Sequence, residues 1–206
     1  MKKKIFITGI GTDVGKTVVA AIITEALKAD YFKPIQAGDL DTGDAHTVEN
    51  LISNKETTIH SNSYGLQTPM SPHAAAKIDG VIIDIKKIKE PSTTNHLVIE
   101  GAGGILVPLN DSNTIIDLIQ PDYKVIIVSR HYLGSINHSL MTIQLLQDKG
   151  FNVSVVFNGA EHKTTENIIE KMTGVTILGR IDEEPYVDKN VIKAYAEDFQ
   201  EKLLEL

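Results

Sequence analysis

No cysteine occurs among the 206 residues. That absence excludes disulfides, thiolate nucleophiles and thiolate zinc sites, and it is compatible with a reducing compartment. No long apolar run is present either. Stretches such as Val18–Ile23 fall far short of the roughly 20 residues that a membrane span needs. Lys2, Lys3 and Lys4 precede apolar residues as in a signal peptide, but Thr8, Gly9, Gly11 and Asp13 break the run before it can serve as one. The start therefore reads as an opening strand, and the protein as cytoplasmic. A basic excess is also missing: 20 Lys and Arg face 27 Asp and Glu, for a net charge of −7. Sequence-independent nucleic-acid binding needs a broad basic surface, so an anionic ligand must be met here by a local group of positive charges. No internal repeat, low-complexity stretch or linker interrupts the chain. Residues 1–206 read as one domain, long enough to bury a core.

What is present alternates. Short apolar runs rich in β-branched residues lie at Ile5–Thr8, Tyr31–Ile35, Leu97–Glu100, Val125–Ser129, Val153–Phe157 and Thr176–Leu178. Most are apolar on both faces, the mark of a parallel strand covered on both sides. Helical patterns fall between them at Lys16–Ala29, Asp44–Ser53, Ser135–Lys149 and Thr164–Thr173, with a last one from Val187 onward. The alternation predicts an α/β fold, a mostly parallel sheet with helices on both faces and right-handed crossovers. The polar stretch Thr57–Pro72 reads as a long loop of the kind that covers ligands.

The strongest local signal is Gly9-Ile10-Gly11-Thr12-Asp13-Val14-Gly15-Lys16-Thr17, which follows a predicted strand and opens a predicted helix. That is the context of a phosphate-binding loop. Glycines let backbone N–H groups approach phosphate oxygens, and the helix N-terminus adds a partial positive charge. Lys16 brings a full charge to the β- and γ-phosphates, and the Thr17 hydroxyl suits Mg²⁺. The loop is one residue longer than the common spacing, so this is a variant phosphate loop. It resembles the branch that includes ParA- and MinD-type ATPases, cobyrinic acid amide synthases and dethiobiotin synthetase. It lacks the additional early lysine of the partition ATPases.

Three further residues are candidates on position alone. Glu100 closes an apolar run and precedes Gly101-Ala102-Gly103-Gly104, so its carboxylate reads as pointing into the crevice at strand ends; the competing reading is a solvated residue before a flexible turn. Asp44 opens a helix and reads equally as a metal ligand or a plain N-cap. Lys33, beside Pro34, reads as a partner of the γ-phosphate or as a surface lysine. His138 reads as a helix-start or core histidine. His46, His60, His96, His131 and His162 show no metal spacing, and Lys86, Lys87 and Lys89 read as a solvated face.

Five separated segments together resemble the dethiobiotin synthetase family. They are the loop Gly9–Thr17, Lys33-Pro34-Ile35-Gln36-Ala37-Gly38, Ser71-Pro72-His73, Glu100-Gly101-Ala102-Gly103-Gly104 and Gly134-Ser135-Ile136-Asn137-His138, in order along most of the chain. The resemblance implies a P-loop NTPase-like fold in a homodimeric, ATP- and Mg²⁺-dependent ligase that makes the cyclic urea from 7,8-diaminononanoate and CO₂. It implies that Lys16 and Lys33 are catalytic and that Thr17, Asp44 and Glu100 hold Mg²⁺. ATP would lie against Thr12, Asp13, Val14, Gly15, Lys16, Thr17 and Val18, with Asp44, Glu100, Gly101, Ala102 and Gly103 beside the phosphates. Asn158, Gly159, Ile181 and Asp182 would line the adenine. Ala37 and Ser71 would contact the diamine, and Ser135 and Asn137 its distal carboxylate from the neighbouring subunit. Two positions depart from the family pattern: Ala37 stands where Ser or Thr is usual, and Asp182 where Pro is frequent. The same fold branch leaves an amidating synthase or a nucleotide switch as alternatives. The first usually needs a cysteine-bearing glutaminase domain that this chain lacks.

Overall fold

Apolar on both faces, strand β1 (Lys4–Gly9) belongs in the middle of a covered sheet. It lies there in the computed structural model, which describes residues 2–206. Six further strands join it: β2 (Asp30–Phe32), β4 (Ile59–His60), β6 (Leu97–Gly104), β7 (Lys124–Arg130), β8 (Asn152–Asn158) and β9 (Thr176–Ile181). The order across the sheet is β4-β2-β6-β1-β7-β8-β9, and every neighbouring pair is parallel.

After β1 the chain crosses to one side of the sheet to form β2, and from β7 onward it builds the other side. Right-handed crossovers then put the helices on opposite faces. Helices α1 (Lys16–Leu27), α2 (Asp44–Leu51) and α6 (Lys189–Glu205) pack together on one side, and α4 (Ser135–Asp148) and α5 (Lys163–Thr173) pack together on the other. α1 is buried almost all round because α6 covers the face that the sheet does not. Val19, Ile22 and Ile23 are fully buried there, each contributing about 1.5–3 kcal/mol by leaving water. Among the described residues no helix is long and apolar enough to cross a membrane.

The structure corrects three of the sequence-based boundaries. The run Tyr31–Ile35 is two strands, not one. Pro34 has no N–H to give a ladder, so β2 stops at Phe32. The chain then resumes as β3 (Ile35–Ala37), which pairs in parallel with β5 (Tyr64–Leu66) in a separate two-stranded sheet. The Pro34 carbonyl accepts from the N–H groups of Ser63 and Tyr64, and Asn62 Nδ2 donates to the Lys33 carbonyl at 2.7 Å. The stretch Thr57–Pro72 is therefore not one long loop. It holds β4 and β5, too short for any periodicity to reveal, and leads into α3 (Pro72–Ile78). Strand β6 also outruns its apolar segment: it continues through the glycines to Gly104, which pairs with Gly9.

Candidate active site

The phosphate loop leaves the C-terminal end of β1, where the direction of winding reverses. Open α/β sheets bind ligands at that crevice. Ile10 N–H still donates to Val128 on β7, at 3.1 Å, but no carbonyl among the described residues accepts from the N–H groups of Thr12 to Lys16. Gly15 has φ +94°, and a Cβ there would come within 2.2 Å of Asn158 Nδ2. Only glycine satisfies both conditions. Asn158 Nδ2 donates to the Val14 carbonyl at 2.9 Å, so the end of β8 grips the loop. Arg130 holds the Asp13 carbonyl more loosely, at 3.4 Å. The Lys16 ammonium curls back onto the Gly11 carbonyl at 3.1 Å. Burial lowers its pKa and the neighbouring Lys33 adds to that, against the opposing pull of Glu100 and Asp44.

Opposite the loop, three oxygens converge. Thr17 Oγ1 lies 2.8 Å from Asp44 Oδ1 and 3.1 Å from Glu100 Oε1. The Lys33 ammonium bridges both carboxylates, pairing with Asp44 Oδ2 and lying 3.3 Å from Glu100 Oε1. Lys33 is 4% exposed and Glu100 1%, which rules out a surface lysine and a solvated glutamate. Nor is Asp44 a cap. Gly43 occupies the N-cap of α2, and the Asp44 carboxylate is committed to Thr17 and Lys33. Burial would lower the pKa of Lys33, but Glu100 and Asp44 outweigh it and raise it. Burial would raise that of Asp44, and Lys33 and Thr17 outweigh it in turn.

Two carboxylates and one hydroxyl make a hard-oxygen set that fits a magnesium ion, which keeps its other positions for phosphate oxygens and water. Among the described residues no cluster of three His, Cys, Asp or Glu side chains offers an alternative.

A cavity of about 770 Å³ opens from this corner. Thr12, Asp13, Gly15, Lys16, Thr17, Val18, Lys33, Ala37, Asp39, Asp44, Ser71, Glu100, Ala102 and Gly103 line it. Val14 and Gly101 lie just behind, Gly101 against Phe6. Asn158, Gly159, Ile181 and Asp182 lie outside it, at the ends of β8 and β9. Gly159 N–H donates to the Ile181 carbonyl at 2.8 Å, and Asp182 is exposed, its N–H donating to Tyr195. Ser135 and Asn137 are also outside the cavity, in the first turn of α4, with Ser135 buried and Asn137 exposed. His138 does start that helix but is not in the core: it is exposed and bonds the Tyr132 hydroxyl at 2.8 Å.

Two further side chains, given no role by the sequence reading, shape the site. Tyr31 hydroxyl donates to Glu100 Oε2 at 2.7 Å. Gln36 spans the turn before α2: its Nε2 donates to the Gly38 carbonyl at 3.0 Å, and its Oε1 accepts from Asp44 N–H at 3.4 Å. For Tyr31 a signal existed, since alternation along the apolar run Tyr31–Ile35 predicts the same face for Tyr31 and Lys33. For Gln36 none did.

A family model described as an AAA domain matches residues 3–191. The ATP-dependent dethiobiotin synthetase BioD of Christiangramia forsetii is 57% identical over 207 residues, covering 100% of both chains. That of Cytophaga hutchinsonii is 49% identical, covering 94% of this chain and 95% of its own. Among solved structures, the MinC:MinD cell division protein complex of Aquifex aeolicus aligns at TM-score 0.62 and 18% identity, over 99% of this chain and 96% of that one. A ParA family ATPase from Chlorobium tepidum aligns at TM-score 0.58 and 13% identity, over 100% of both. The latter two likenesses establish the P-loop NTPase-like fold. With its sequence relatives spanning the full length, the chain belongs to the ATP-dependent dethiobiotin synthetase family.

Proposed function

We propose that the chain, acting as one unit over residues 1–206, is a ligase that uses ATP to close the cyclic urea of dethiobiotin from 7,8-diaminononanoate and CO₂, in biotin synthesis in the cytoplasm. The observation that carries this reading is the corner of Lys16, Thr17, Lys33, Asp44 and Glu100 at the mouth of a phosphate loop, with a cavity running on to Ala37 and Ser71.

The chemistry needs such a corner. One amine of the substrate adds to CO₂ and loses a proton, giving a carbamate. Carbamate is a poor electrophile, so its oxygen takes the γ-phosphoryl group of ATP and ADP leaves. The second amine then attacks the carbonyl carbon, expels phosphate and loses a proton, which closes the ring. Negative charge gathers between carbamate and γ-phosphate, and Lys16 and Lys33 are set to offset it. Loop N–H groups without acceptors bind the phosphates. Thr17, Asp44 and Glu100 would hold Mg²⁺, which supplies charge neutralisation at the phosphate oxygens. Asn158 uses its Nδ2 on the Val14 carbonyl, and its Oδ1, which accepts no bond among the described residues, would accept from the adenine amine. The free amine is itself a nucleophile, and the protons lost in the two amine steps pass to water.

Ser135 and Asn137 start a helix whose N-terminal N–H groups suit a carboxylate, yet they stand outside the cavity of their own chain. This supports a homodimer in which each receives the substrate carboxylate bound next door. The surface beside them favours the same reading: Leu133, Ile136, Met141 and Leu106 are exposed apolar side chains, more than a solvated face carries at one place.

Incubation with ATP, Mg²⁺, bicarbonate and 7,8-diaminononanoate, followed by mass analysis, should yield the cyclised product with one ADP per ring closed. ATP turnover that ignores the diamine would instead indicate a nucleotide switch and overturn the proposal.

A further inference from the structure

Glu100 uses its two carboxylate oxygens differently. Oε1 meets Thr17 Oγ1 at 3.1 Å and Lys33 Nζ at 3.3 Å. Oε2 accepts from the Tyr31 hydroxyl at 2.7 Å. The sheet register brings that pair together. Tyr31 on β2 lies opposite Val98 on β6, and Glu100 is two residues further along the same face. Tyr31 is fully buried. A phenylalanine would fill the same volume without bringing a hydroxyl that burial penalises unless it is bonded. This hydroxyl makes its bond to Glu100.

We propose that Tyr31 is a positioning residue that sets which divalent ion the site accepts: it engages Oε2 so that Glu100 offers the ion Oε1 alone. The proposal rests on the cation corner described above. Single-oxygen ligation suits Mg²⁺, which holds six ligands in a tight octahedron. Ca²⁺ takes six to eight oxygens and favours carboxylates that give both. Releasing Oε2 lets Glu100 swing to two-oxygen ligation, which favours the larger ion.

The test is calorimetric titration of ADP into the wild type and Tyr31→Phe, each without divalent ion and across series of Mg²⁺ and Ca²⁺ concentrations. In Tyr31→Phe the Mg²⁺ concentration that half-saturates the gain in ADP affinity should rise about tenfold, the Ca²⁺ value should stay level or fall, and ion-free affinity should not change. Equal shifts for both ions, or no shift, would make Tyr31 a core residue only and overturn the inference. A wild type whose ADP affinity ignores Mg²⁺ would instead overturn the cation corner itself. Should Tyr31→Phe not fold, 3-fluorotyrosine placed at position 31 keeps shape and hydroxyl and gives one ¹⁹F resonance. That resonance should move when Mg²⁺ is added to the ADP complex, and a resonance that stays fixed while Mg²⁺ binds would overturn the inference.

Discussion

At the level of single residues, the two buried lysines have different surroundings and should fail differently. The Lys16 ammonium bonds the loop carbonyl of Gly11, and among the described residues it forms no salt bridge. Lys16→Ala removes the loop's full charge, so nucleotide affinity should fall more than tenfold, about 1.4 kcal/mol or more, as read by calorimetry. Lys33 is neutralised by Asp44 and Glu100 before any ligand arrives. Lys33→Gln should leave ATP affinity within about threefold and lower kcat by about 100-fold or more, as for an interaction made mainly in the transition state. Equal losses in binding for the two variants would refute that division of labour. Lys16 and Thr17 were legible in the sequence because loop, strand and helix signals coincide at them. Asp44 was legible only through the family resemblance, since by position alone a carboxylate at a helix start looks the same whether it caps or binds. The placement of Gly43 at the N-cap and the bonds of the Asp44 carboxylate to Thr17 and Lys33 separate the two.

Among the elements, the most informative is the turn from β1 into α1. Its shape depends on Gly15, held at positive φ with the Asn158 amide in the space of a side chain. Gly15→Ala should cost about 1–3 kcal/mol in thermal or urea unfolding and abolish ATP binding with it, because the new methyl displaces the side chain that anchors Val14. Stability retained at the wild-type level would mean that β8 does not brace the loop. The long strands and helices could be read from apolar period, which is strong over five or more residues. Strands of two or three residues such as β3, β4 and β5 leave no such trace. The pairing of β3 with β5 is fixed by Pro34 and by hydrogen bonds to the Lys33 and Pro34 carbonyls that only the folded chain brings together.

For the molecule as a whole, acid should be the solvent condition that unfolds it. Asp30 is 5% exposed and lies at the start of β2. Burial would raise its pKa, but bonds from Thr93, Thr58, His60 and Asn95 outweigh it and lower it. Glu25 is lowered in the same way by Ser53 and Asn54, and Asp44 by Lys33. Carboxylates lowered in the folded state add stability that is complete above their unfolded values, about pH 4, and that disappears as pH falls through the folded ones. Urea unfolding should therefore be level from neutral to about pH 5 and weaken steeply below pH 4. Asp30→Asn should lose about 1–3 kcal/mol at pH 7 and flatten the acid limb. An unchanged limb would assign the acid response to other groups. At the same scale, mixing Lys16→Ala with Asn137→Ala should restore about a quarter of wild-type turnover if each site draws on two subunits. Two inactive proteins that stay inactive when mixed would confine the site to one chain. Whether the site is shared between two subunits lies beyond what spacing can show, because a residue exposed in one chain carries no mark of a neighbour that it would serve.

The break at Pro34 has a mechanical result. Past it, the chain quits the seven-stranded sheet and returns as a narrow ledge, β3 against β5, carrying Ala37 and leading to Ser71. The ledge shares no ladder with the strands that anchor the nucleotide loop. The far end of the cavity can thus be recut, one side chain at a time, while the phosphate loop keeps its bearings.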